Sequence, residues 1–127
     1  MSRKYIATTE APAAIGPYSQ AVLSNGTLFC SGQIGIDPAT GNLAEGGIEA
    51  QTEQVCKNVM NLLKAAGFDA SCVLRTTVYI TDINEFAKVN EIYGRYFVTP
   101  YPARSCVAVA ALPKGALVEI EVTAQAK

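Results

Sequence analysis

The chain has 127 residues, half of them apolar, a formal net charge of −1 and no histidine. That length fits one domain, residues 1–127, with enough apolar content for a two-layer core. Near-neutral charge without a Lys/Arg run leaves no electrostatic footprint for nucleic acid. The missing imidazole removes Ser-His and Cys-His nucleophile pairs and most zinc hydrolase designs.

In chain order, residues 4–7 form a short edge strand, and 10–20 (EAPAAIGPYSQ) form a loop set by two prolines and a glycine. Ala21–Leu23 and Leu28–Ile36 read as strands around an SNG turn at 24–26, and DPATGN at 37–42 is a second turn. Ile48, Val55, Val59, Leu62, Leu63 and Ala66 recur near the 3.6-residue period, giving a helix over 48–66 with Gly67 as its stop. The β-branched run 72–80 (CVLRTTVYI) is a strand. Asp82 with Glu85 three residues on has the spacing of a capping box, opening a second helix with Phe86, Val89, Tyr93 and Phe97 as its stripe; Pro100 and Pro102 end it. The order β-β-β-α-β-α-β-β predicts an α+β two-layer sandwich, a mixed sheet with both helices on one face.

The N-terminal residues lack a continuous apolar stretch and no segment is long enough to span a membrane, which predicts no secretory signal, no membrane association and a cytoplasmic location. Cys30, Cys56, Cys72 and Cys106 lie singly in apolar surroundings, read as buried thiols of a reducing compartment. Without histidine or clustered thiols, no metal site is expected.

The last two strands lie within Tyr101–Val122 and are joined through a Pro-Lys-Gly turn. Alternation groups Ser105, Val107 and Val109 on one face of the first, and Arg104, Cys106, Ala108 and Ala110 on the other. On the second it separates Val118, Ile120 and Val122 from Glu119 and Glu121. Placing both Val/Ile rows against the helices puts Arg104, Cys106, Glu119 and Glu121 together on the opposite face. Such a face is either solvated, with an incidental ion pair, or an oligomer interface enclosing a polar pocket. A guanidinium fork suits a substrate carboxylate, and a desolvated glutamate exchanges protons with water or substrate.

These residues resemble the Rid (YjgF-type) family, RidA branch: PARSCVAVAALPK from Pro102 to Lys114, then VEIE at 118–121. APAAIGPYSQA at 11–21, CSGQIGIDPATGNL at 30–43, QTEQVCKNV at 51–59 and NEFAKVNEIY at 84–93 carry the resemblance along nearly the whole chain. It implies a chorismate-mutase-like fold, a homotrimer with active sites between subunits, and no cofactor. The implied activity is hydrolysis of 2-imino acids, such as 2-iminobutanoate and 2-iminopropanoate, and of their enamine tautomers, to 2-keto acids and ammonia. The implied metabolic partners are the pyridoxal-phosphate dehydratases that release these imines.

The resemblance gives Arg104 the substrate carboxylate and Glu119 the attacking water. The Cys106 backbone helps place that water or the imine nitrogen. Tyr18, Ser31, Gly32 and Asn90 line the substrate cleft, and Glu121 is assigned to structure or the trimer interface. Gly35 stands where many members have proline, which would alter loop stiffness. Cys106 is not expected to be a nucleophile, because no base is at hand. Other classes remain open: a metabolite-binding or chaperone-like protein, and an RNA-cleaving translation inhibitor, which the acidic balance disfavours.

Overall fold

Turn chemistry and apolar periodicity set the elements. The computed structural model describes residues 2–127. Strands β1 (Arg3–Ile6), β2 (Ala21–Ser24) and β3 (Thr27–Cys30) form an antiparallel meander. Asn25 and Gly26 both take positive φ between β2 and β3, which is what a tight hairpin turn of this handedness demands of its central residues.

The single strand expected over 28–36 is broken into three. After β3 come β4 (Gln33–Ile34) and β5 (Ile36–Asp37), the latter leaving the main sheet to pair with β6 (Asn42–Leu43). Both breaks fall at glycines where something presses on the backbone. A Cβ on Gly35 would lie 2.8 Å from the Gln51 carbonyl oxygen of helix α1 (Gly47–Ala65). Gly35 is thus a close-packing position against a helix as well as a loop residue.

Helix α1 buries Val55, Cys56, Val59, Leu62 and Leu63. It stops in a Schellman arrangement: Phe68 N–H donates to Leu63 O, Gly67 N–H to Lys64 O, and Gly67 has φ 82°. A 3-10 turn precedes β7 (Val73–Ile80), and another, Ile83–Glu85, precedes α2 (Phe86–Tyr96). The capping box expected there is half formed. Asp82 Oδ1 accepts from Asn84 N–H at 3.0 Å, but Glu85 pairs with Lys88 Nζ at 3.0 Å. The tight 3-10 start moves the donating amide one residue earlier.

Strands β8 (Ala103–Ala108) and β9 (Val118–Gln125) complete a mixed, seven-stranded sheet in the order β1-β2-β3-β9-β7-β8, with β4 also on β9. The last two strands are therefore not neighbours: β7 lies between them, antiparallel to β9 and parallel to β8. Both helices cover one face. There Val78, Ile80, Val118, Ile120 and Val122 form one core with the helix stripes.

One expected face is reversed. The β7/β8 register sets Arg104 beside Thr76 and Cys106 beside Val78, so Arg104 and Cys106 lie on the helix side. Val107, beside Tyr79, is on the uncovered side and 43% exposed. The Val/Ile rule holds for β9, which lies under α1, and fails for β8 at the sheet edge. The uncovered face also carries Phe29, 54% exposed, and Glu119 and Glu121. Among the described residues no helix is long and apolar enough to cross a membrane.

Candidate functional site

Two clusters hold the residues singled out from the sequence, and the sheet separates them. The first is a cavity of about 710 Å³ between the 10–20 loop, the β3–β4 junction and β9. Its lining includes Tyr18, Ser31, Gly32, Gln33, Glu119 and Glu121. The loop is fixed by Gln20, which is buried. Gln20 Oε1 accepts from Thr8 N–H at 2.7 Å, and its Nε2 donates to Thr8 O and Pro12 O at 3.1 and 2.7 Å. Ser31 Oγ donates to Ser19 O at 2.6 Å and Ser31 N–H to Gln20 O at 2.9 Å, tying the cavity floor to the loop that carries Tyr18.

Glu119 is seated on Gly32. A Cβ built at Gly32 would stand 2.0 Å from Glu119 Oε2, so a side chain there would force the carboxylate out of its present position. Burial first, and the neighbouring Glu121 second, push the Glu119 carboxyl above the ordinary carboxylate range. Its cross-strand neighbours are Tyr79 on β7 and Ile34 on β4. A second depression of about 760 Å³, lined by Tyr5, Thr8, Tyr18 and Gln20 among others, holds no carboxylate or cation and offers no comparable acid–base pair.

The second cluster lies on the helix side of β8. Arg104 Nη1 donates to Asn90 Oδ1 at 2.7 Å. The guanidinium carbon stands 5.2 Å from the Phe86 ring centroid and 4.7 Å from that of Tyr93. Such cation–π contacts are worth about 0.5–1 kcal/mol at exposed sites. Tyr93 is held in turn by a buried hydrogen bond between its hydroxyl and Thr76 Oγ1 at 2.8 Å. Phe86, Asn90 and Tyr93 share one helix face through their spacings of four and three, so α2 builds a cradle that leaves the rest of the guanidinium free. Burial raises the Cys106 thiol and Arg104 opposes the shift; Cys30 and Cys56 are pushed up to about 12 by burial, so neither is a ready thiolate. Among the described residues no three His, Cys, Asp or Glu side chains gather as metal donors.

The model of the family described as endoribonuclease L-PSP matches residues 8–126. The chain belongs to the L-PSP family. The human 2-iminobutanoate/2-iminopropanoate deaminase is 53% identical over 122 residues, 96% of this chain and 89% of the human protein. RidA from the Antarctic bacterium Psychrobacter sp. PAMC 21119 superposes with a TM-score of 0.94 at 46% identity, covering 97% of this chain and 99% of that one. TdcF from E. coli, solved with bound serine, gives 0.92 at 41%, covering 98% and 99%.

Within this L-PSP chain, Tyr18, Ser31, Gly32 and Glu119 line one cavity. Arg104, Asn90 and Cys106 do not line it. Arg104 and Glu119, expected on one face, stand on opposite faces of the sheet. The sequence reading missed Gln20 as the loop's anchor, and Phe86 and Tyr93 as the arginine's cradle. The second pair was visible in the i, i+4, i+7 spacing with Asn90; the first had no local signal, since its partners lie 8 to 12 residues away.

Proposed function

We propose that this chain hydrolyses small 2-imino acids, 2-iminobutanoate and 2-iminopropanoate, and their enamine tautomers, to 2-keto acids and ammonia. The observation that carries the reading is the 53% identity, over 96% of the chain, with the human protein of that name. In this reading Arg104 binds the substrate carboxylate through its free edge, a bidentate, charge-assisted contact. Glu119 accepts a proton from the water that adds to C2, then returns one to the departing ammonia. Tyr18, Ser31 and Gly32 border the substrate, and the Cys106 backbone helps orient the water or the imine nitrogen.

The opposed faces of Arg104 and Glu119 support a site completed between copies of the chain, each copy giving its Arg104 cluster to the next copy's Glu119 cavity. The resemblance gives that assembly as a homotrimer, and the exposed Phe29 and Val107 on the uncovered sheet face favour burial there. Substrates released by pyridoxal-phosphate dehydratases, in a reducing cytoplasm that keeps four thiols free, fit the same reading.

The test couples the protein to threonine dehydratase at a pH where free imine decays slowly, and follows 2-ketobutanoate. Acceleration above the dehydratase alone is expected, lost in Arg104→Ala at unchanged oligomer mass. No acceleration by the wild-type protein would sink the enzyme reading and leave a binding role.

A further inference from the structure

Imine hydrolysis by Arg104 and Glu119 leaves two groups beside the cavity without work: Glu121 and its partner Tyr79. Tyr79 stands directly across the β7/β9 ladder from Glu119, yet its hydroxyl donates diagonally, to Glu121 Oε1 at 2.8 Å. That hydrogen bond holds the Glu121 carboxylate against β7. Glu119 and Glu121 are two residues apart on one strand, share a face and line the same cavity.

The other charged and titratable groups around them are few. Lys114 and Tyr18 line the cavity, and Arg75, on β7, directs its guanidinium to Ser105 Oγ on β8 at 3.1 Å. Among the described residues no ion pair engages either glutamate. Within one copy of the chain, a second carboxylate two residues away on the same strand face favours a proton on Glu119.

Resting on the deaminase reading above, we propose that Tyr79 and Glu121 are a positioning pair that keeps this proton on Glu119, making Glu119 the acid that protonates C3 of an enamine substrate. The displacement of Glu119 above the carboxylate range by burial and by Glu121 agrees with this, as does the upward shift of Tyr79 caused first by its bond to Glu121, which keeps the phenol a donor.

The protons balance around a closed cycle. Glu119 gives its proton to C3 as the C2–C3 π electrons form the new C–H bond and the nitrogen lone pair closes an iminium. The resulting carboxylate takes a proton from the water that adds to C2. The acid then protonates the amino nitrogen, the C2–N bond breaks, and the hydroxyl proton returns to Glu119 as the 2-keto acid forms. No redox partner is needed.

The experiment supplies one substrate in two tautomers at limiting deaminase: the enamine, from threonine and a dehydratase, and the imine, from 2-aminobutanoate and an amino acid oxidase. Tyr79→Phe, which keeps the ring, and Glu121→Gln should each lower the enamine-fed acceleration about tenfold relative to the imine-fed one, part of the usual contribution of a placed general acid. Glu121→Gln should also move the alkaline limb of the enamine-fed rate to lower pH, because Glu119 then loses its proton sooner, and Glu121→Asp should restore part of the loss. Equal effects on both routes, or none, overturn the pair's role while the deaminase reading stands; a wild-type protein that accelerates neither route overturns both. Melting curves of Tyr79→Phe matching wild type tie the loss to chemistry rather than folding.

Discussion

Strands β8 and β9 both mix small or β-branched residues with charge, one arginine on β8 and two glutamates on β9, yet they use their faces oppositely. On β9 the branched residues Val118, Ile120 and Val122 go under the helices and the glutamates go out. On β8 the branched Val107 goes out and Arg104 goes under α2. The difference is position in the sheet. β9 has hydrogen-bonded neighbours on both sides and full helix cover, so any charge on its covered face would be buried without a partner. β8 has a neighbour only on one side, and the helix above it presents two rings and an asparagine that accept a guanidinium. Alternation separates residues into two faces, but only the cover tells which face is the core.

The sharpest way to break this comparison is through chemistry, since each strand gives one group to the proposed reaction. Glu119→Gln, on β9, should lower kcat about 100-fold or more, the ordinary contribution of a placed acid–base group, with the oligomer mass unchanged. Arg104→Ala, on β8, should lower kcat/KM about 100-fold, mainly through KM, the loss of about 3 kcal/mol for a charge-assisted carboxylate contact. If a mixture of these two inactive variants regains part of the activity after dissociation and reassembly, each site draws on two chains. Failure to regain any would contradict a shared site.

Packing gives a second contrast. Ile120→Ala should destabilise by about 2–5 kcal/mol in denaturant melts, because Ile120 is fully buried in the core. Val107→Ala should change the fold's stability by only about 0.5 kcal/mol and act instead on assembly, seen as a lower-mass species in sedimentation. Equal losses at the two positions would mean that both branched rows are core after all.

The smallest expected effect is electrostatic. The Glu119 carboxyl is raised on folding, so its contribution to stability is fully present below the unfolded value, near 4.5, and is lost as pH rises through the higher folded value. Glu119→Gln should therefore melt slightly above wild type at neutral pH. That advantage should vanish below the unfolded value, as thermal scans across the range would show.

Much of the fold was legible locally. Asn25-Gly26 marked the first hairpin, the stripe from Val55 to Leu63 marked α1, and Gly67 marked its end, because each depends on backbone preference or on a period within one segment. The break in the 28–36 strand was not legible. It falls where a carboxylate from β9 lies against Gly32 and the α1 backbone lies against Gly35, partners far along the chain. The 10–20 loop was readable as irregular, but its fixed shape depends on the buried Gln20 bonding back to Thr8 and Pro12.

The sequence by itself determined the residue types available for chemistry. Without histidine, any chemistry falls to carboxylates, tyrosines, cysteines, arginine, backbone groups or water, and the run from Pro102 to Glu121 pointed to Arg104 and Glu119. Only the tertiary structure decided on which side of the sheet each would stand. Placing β7 between the last two strands and covering one face with helices sent Arg104 and Glu119 to opposite faces. The period of a strand is two whatever lies above it, so side is a property of the packed sheet and is absent from the strand's own residues.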